Sequence, residues 1–187
     1  MKKDVGKEFE KQLKDLKEYI ALATINAKEY QEINLKIIKH FTEAENIPGV
    51  YVTLSKPYET IAKILKSKGI DTRLIIFIDA VTEISGKELQ KTENCLFIGS
   101  PEKLSDISVA MDQAVRSLPS EKRFVFFDSL SILLMYNSAE TVARFIHFLA
   151  GKMRIWKVMG IIVSLKKEKD KELIDELMQF CDVKLDF

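Results

Sequence analysis

Cysteine is scarce in this chain. Cys95 and Cys181 are the only two in 187 residues, too few and too far apart for a disulfide framework or a structural zinc site. Histidine is equally rare. His40 and His147 fall in helical patterns with no cysteine, histidine or carboxylate at ligand spacing, so no metal site is expected. No apolar run approaches the roughly 20 residues that cross a bilayer, and the start, MKKDVGKEFEK, lacks the apolar segment of a secretory signal. The expectation is a cytoplasmic protein with reduced thiols and no membrane association. Charge of one sign is missing too. The 29 basic and 28 acidic side chains leave a net charge of +1, which argues against a dedicated nucleic-acid binder. Internal repeats, low-complexity segments and long linkers are absent as well.

What remains is an ordinary globular composition, 47% apolar and 30% charged, with length for one well-cored domain. Residues 2–18 are mostly charged, with Phe9, Leu13 and Leu16 near helical spacing. They predict an amphipathic N-terminal helix over 1–18, packed on the domain edge or serving as a dimerisation or partner helix. Apolar strand patterns then alternate with helical ones from residue 19 to 187. Strands are expected at 19–25, 50–54, 74–80, 95–98, 124–128, 160–165 and 183–187. Asn26 with Glu29, and Asn137 with Glu140, have capping-box spacing for two of the intervening helices. Pro57 opens a helix and Gly69 closes it. The methionines Met111, Met135 and Met153, Trp156 and the phenylalanines read as core.

This alternation implies repeated βαβ units: an α/β fold of three layers, α-β-α, around a mainly parallel sheet. In such sheets ligands bind beyond the carboxyl ends of the strands. Asn26, Ser55, Asp79, Asp128 and Ser164 should share that edge. The segment RFVFFDSLSILLMY, residues 123–136, is the centre of the pattern: a short apolar run that delivers Asp128 to its carboxyl end.

The order of elements resembles the RecA-like P-loop ATPases, most closely the archaeal and bacterial KaiC/RadA-type branch. RFVFFDSLSILL at 123–134 looks like that family's Walker B strand and the Asp-Ser-Leu after it. GVYVTLSKPYETIAKILKSKGID at 49–71 looks like its second strand and following helix. GIIVSL at 160–165 looks like the strand beside Walker B. The resemblance covers nearly the whole chain from Tyr19. It implies a RecA-like fold and, in an active member, magnesium and ATP.

An active member needs a GxxxxGK loop, followed by Ser or Thr, whose backbone amides wrap the phosphates. Here the segment is ATINAKEY, and no glycine occurs between Gly6 and Gly49. With Lys28 on the family's lysine, the loop glycines become Leu22 and Ala27 and the magnesium-binding hydroxyl becomes Glu29. Counting back from the second strand instead puts the lysine position near Gln31. The acidic residues that activate water after the second strand are replaced by Ser55-Lys56, with Glu59 a helical turn further on. A protonated lysine cannot act as the base.

The remnant nucleotide-site positions are therefore Asn26, Lys28, Glu29, Ser55, Lys56, Asp79, Asp128 and Ser129. Asp128 has two readings, a residual magnesium ligand or a carboxylate held by Ser129, nearby amides or a helix start. Lys28 beside a helix N-terminus has two as well, an anion contact or a solvated side chain. Lys166, Lys167, Lys169 and Lys171 form a basic run, broken by Glu168 and Asp170, with no interleaved aromatic for base stacking. The expected function is a non-catalytic RecA/KaiC-like domain, a pseudo-ATPase, acting as a regulatory or assembly protein. A protein partner or homo-oligomer is expected, and no cofactor, with ATP and magnesium not retained. The alternatives are a nucleotide- or anion-binding sensor without hydrolysis, and a nucleic-acid accessory factor using the lysine run.

Overall fold

A computed structural model of the chain describes residues 9, 12–13, 16–86, 92–167 and 170–187. Seven strands form one sheet: β1 (Tyr19–Ile25), β2 (Gly49–Thr53), β3 (Ile75–Asp79), β4 (Cys95–Phe97), β5 (Phe124–Asp128), β6 (Met159–Leu165) and β7 (Val183–Asp186). Their order across the sheet is β4-β3-β2-β5-β6-β1-β7, and every pairing is parallel. Parallel strands are covered on both faces, which explains the unbroken apolar runs. Every residue of β1, β2 and β5 is buried.

Among the described residues, α-helices α1 (Tyr30–Lys39), α2 (Tyr58–Ser67), α3 (Leu104–Ser117), α4 (Leu130–Tyr136), α5 (Ala139–Trp156) and α6 (Lys171–Leu177) cover the sheet. Two separate cores result. On one face Ile33, Ile37, Ile61 and Leu65 of α1 and α2 pack over Tyr51, Phe77, Phe124 and Phe126. On the other, α3 to α6 cover Val50, Val125, Phe127 and Ile162. Side chains alternate along β5, so Asp128 falls on the same face as Phe124 and Phe126, beneath α1 and α2. Register places Tyr51 beside Phe126 and Thr53 beside Asp128. At the start of β2, a Cβ on Gly49 would lie 2.4 Å from the Phe124 ring, which explains the missing side chain.

Local signals held unevenly. Gly69, at φ +75°, ends α2. Its N–H donates to Lys66 and that of Ile70 to Leu65, which closes the last turn. The helix after β1 starts at Tyr30 and continues through a π turn, His40–Ala44, as far as expected. Its start is not a capping box. Asn26 instead donates both its backbone N–H and Nδ2 to the Phe187 carbonyl, tying β1 to the end of β7. Glu29 precedes the helix without a side-chain cap. The second capping box also fails. Asn137 terminates α4 by donating to Leu133, and Ser138 caps α5 by accepting from the Thr141 N–H. Glu140 pairs with Arg144 on the surface.

Two core assignments need correction. Met135 is 71% exposed at the end of α4, and Phe148 lies half-exposed on α5 beside Lys152. The predicted N-terminal helix lies largely outside the described residues. Within it Phe9 and Leu13 are helical and buried against the α1 face, while Leu16 is exposed.

Candidate functional site

Strand parity and chain order bring Asp128 to the carboxyl edge beneath the first turn of α1. Tyr30 opens that helix and turns its hydroxyl down to Asp128 Oδ1, to which it donates. Tyr51, two residues before the end of β2, donates its hydroxyl to Oδ2 at 2.7 Å. Both carboxylate oxygens thus receive phenolic hydrogen bonds in a site where Asp128 is only 2% exposed. A buried tyrosine needs such an outlet for its hydroxyl, and a buried carboxylate needs donors.

The charges respond accordingly. Burial raises the Asp128 pKa, against opposing effects of the two phenols and the Lys56 ammonium. Burial and then the Asp128 charge push Tyr30 and Tyr51 well up. The phenols therefore stay protonated and serve as donors. Lys56, half-buried after β2, reaches Gln31 Oε1 at 3.3 Å across the mouth of the site.

Below this polar end a cavity of about 210 Å³ runs between α1 and α2. Its walls are Leu35, Ile38, Ile61, Ile64 and Leu65, with Asn34 set among them. Asn34 is 6% exposed and its Oδ1 has no hydrogen-bond partner.

The expected site residues do not all stay together. Ser55, Lys56 and Asp128 do line one cavity. Asn26, Lys28 and Glu29 are exposed on the loop before α1. Asp79 is spent locally. Its carboxylate accepts from the Tyr58, Val81 and Thr82 amides at 2.7, 2.7 and 2.9 Å, and from the Thr82 hydroxyl at 2.5 Å. That fixes the start of α2 and the turn after β3. Ser129, reached through a cis peptide bond, is buried but does not hold Asp128, and the two phenols take that part instead. Ser164 is buried at 3.1 Å from Ser131. Of the lysine run, Lys166 is bound to Asp186 at 2.8 Å, Lys167 and Lys171 are exposed, and Lys169 lies outside the described residues.

Tyr30, Tyr51 and Asn34 escaped the sequence reading because helical and strand periodicity assigned them to core or to no role. The available sign was polarity: Tyr51 puts an aromatic hydroxyl inside the fully buried strand GVYVT.

Residues 42–187 match the model of DUF7504, a family of unknown function. The chain belongs to the DUF7504 family. No curated protein matches it. Solved structures with a similar fold include the KaiC-like protein PH0186 of the hyperthermophilic archaeon Pyrococcus horikoshii OT3. That likeness has 14% identity and a TM-score of 0.61, and covers 90% of this chain and 71% of the other. Another is the uncharacterized protein PH0321 of Pyrococcus horikoshii, crystallised in complex with an unknown peptide. There the identity is 16% and the TM-score 0.70, with 95% of this chain and 82% of the other covered. At such identities the likeness establishes the fold alone. This DUF7504 chain has the three-layer, RecA-like α/β architecture.

Among the described residues, no group of three or more His, Cys, Asp or Glu side chains could hold a metal. No described helix is long and apolar enough to cross a membrane. Burial pushes both thiols up, Cys181 to about 12, so neither is a thiolate nucleophile at neutral pH.

Proposed function

We propose that this chain is a non-catalytic RecA-like domain, a pseudo-ATPase whose role is to bind another protein as a regulatory or assembly component. The observation that carries the reading is the closure of Asp128 by the Tyr30 and Tyr51 hydroxyls. A magnesium-ordering carboxylate must face solvent-borne metal, and here both oxygens are engaged from within. The other residues present do not fit magnesium triphosphate either. The loop before α1 has no glycine to wrap phosphates, and the position of the metal-binding hydroxyl is Glu29 in the register that keeps Lys28. Lys56 stands where a water-activating carboxylate would be needed, and it reaches Gln31.

The binding role draws on fold likeness. PH0321 was crystallised with a peptide, and its architecture is shared over nearly this whole chain. Among the described residues no strand pairs with the outer edge of β7, and such an edge offers backbone groups for strand addition. Phosphate release from ATP with magnesium tests the catalytic half of the proposal. No release above background is expected, and release abolished by Asp128→Asn overturns it. Light scattering on the purified chain, 21.5 kDa as a monomer, then separates self-assembly from a need for a different partner.

A further inference from the structure

We propose that the outer face of α3 and α5 binds a second copy of this chain, as a two-fold dimer in which α5 of each copy lies on α3 of the other. This dimer rests on the protein-binding role proposed above and gives that role a surface. Arg144, Phe148, Gly151 and Ile155 follow one exposed line of α5, over roughly 16 Å. A solvated helix turns polar side chains to such a face. Here Phe148 is 49% exposed and Ile155 72% exposed. Between them Gly151 leaves a notch, since a Cβ there would meet nothing within 4 Å. On α3, Val109 is 57% exposed.

Charge decides the occupant. From Thr141 to Lys167 the sequence holds no acidic residue, so Arg144, Lys152 and Arg154 make the α5 face basic. Lys152 lies over the Phe148 ring. The α3 face is acidic at its start, where Glu102 and Asp106 are exposed and, among the described residues, make no ion pair. Lys103 folds back over Gly99, and Arg116 is bound to Asp112 at 2.6 Å. The two helices lie on the same core and run the same way, each descending to the start of a parallel strand. Trp156 Nε1 donates to Asp112 Oδ1 at 2.9 Å, which fixes their relative height. At about 1.5 Å per residue, Arg144 stands roughly 18 Å above Trp156 and Glu102 at least about 15 Å above Asp112. Val109, at about 5 Å, falls between the levels of Ile155 and Phe148. A two-fold axis parallel to the helices and between them leaves every height unchanged. It therefore sets Arg144 against Glu102 of the second copy and Val109 into the notch at Gly151, twice over. An axis across the helices would instead lay α5 on α5 and bring the basic flanks together.

Sedimentation equilibrium of the full-length protein across the micromolar range tests this. A reversible species of twice the 21.5 kDa chain mass is expected, weakened by added salt. Phe148→Glu should raise the dimer Kd by at least about tenfold, with thermal unfolding of the monomer little changed because the side chain is half-exposed. Arg144→Glu and Glu102→Arg should each weaken the dimer, and the two together should restore it, since the swapped charges pair again. A monomer mass at every concentration overturns the proposal. So does a dimer that Phe148→Glu leaves intact, which would lie elsewhere, as on the β7 edge. Failure of the double charge swap to recover what the single changes lose overturns it too. A monomer that releases no phosphate from ATP removes this dimer and leaves the non-catalytic reading standing. Phosphate release by a dimer removes that reading and leaves the interface.

Discussion

Asp128 carries opposing influences that a pH series can separate. Burial pushes its folded pKa above the usual carboxylate range near 3.9, while two phenols and Lys56 pull it back. With the folded value raised, the native state holds the proton more tightly than the unfolded chain. Its contribution to stability is then fully present below the ordinary carboxylate range and lost as pH rises through the folded value. Asp128→Asn has no titration there. Denaturant unfolding of both proteins across the acid range should show the wild-type advantage shrinking as pH increases. An advantage that grows with pH would mean the phenols outweigh burial. The importance of position 128 was legible in the sequence, because an apolar run ending in Asp delivers a carboxylate to the sheet edge. Its partners were not legible. Tyr30 and Tyr51 are 98 and 77 positions away, and only the register of β2 on β5 and the tilt of α1 bring them to it.

Asp79 looked like a second copy of the same motif, LIIFIDA beside RFVFFD, and the elements around it give it a different task. β3 lies one strand further out than β2, so its carboxyl end faces the start of α2. Pro57 supplies no N–H at that point, and the first helical amide, Tyr58, is satisfied by Asp79. Asp79→Ala would leave that amide and those of Val81 and Thr82 without an acceptor. A loss of roughly 2–4 kcal/mol is expected, read by urea denaturation, with faster hydrogen exchange at these three amides. A change within about 0.5 kcal/mol would show that water replaces the carboxylate freely. The helix starts teach the same lesson. Spacing found the Pro57 and Gly69 boundaries of α2, where one residue's own backbone preference decides. It mistook Asn26 and Asn137 for caps, because a cap is a competition. Asn26 bonds more usefully to Phe187, brought beside it by the β1–β7 pairing. At α5 the chain turns one residue later, on Ser138.

Across the whole molecule, layer architecture and strand boundaries followed from alternating patterns, but the order β4-β3-β2-β5-β6-β1-β7 did not, since every strand reads as buried. That order decides what the carboxyl edge can bind. It sets β6 between β1 and β5, so the loop before α1 must lean across a strand to reach Asp128. Here the reach is made by Tyr30, a side chain filling the ground between loop and carboxylate. The slot that remains opens downward between α1 and α2 instead, apolar and nearly neutral. The folded protein as a whole should therefore not respond to a triphosphate. A ligand at 100 times its Kd stabilises the native state by about 2.7 kcal/mol, or roughly 5–10 °C in Tm for a domain of this size. Thermal melts with ATP and magnesium at about 1 mM should show no shift. A rise with ATP that disappears in Asp128→Asn would place a nucleotide against the carboxylate after all. It would also require Tyr30 to move aside, which loss of its hydrogen bond to Asp128 would report as a change in tyrosine fluorescence.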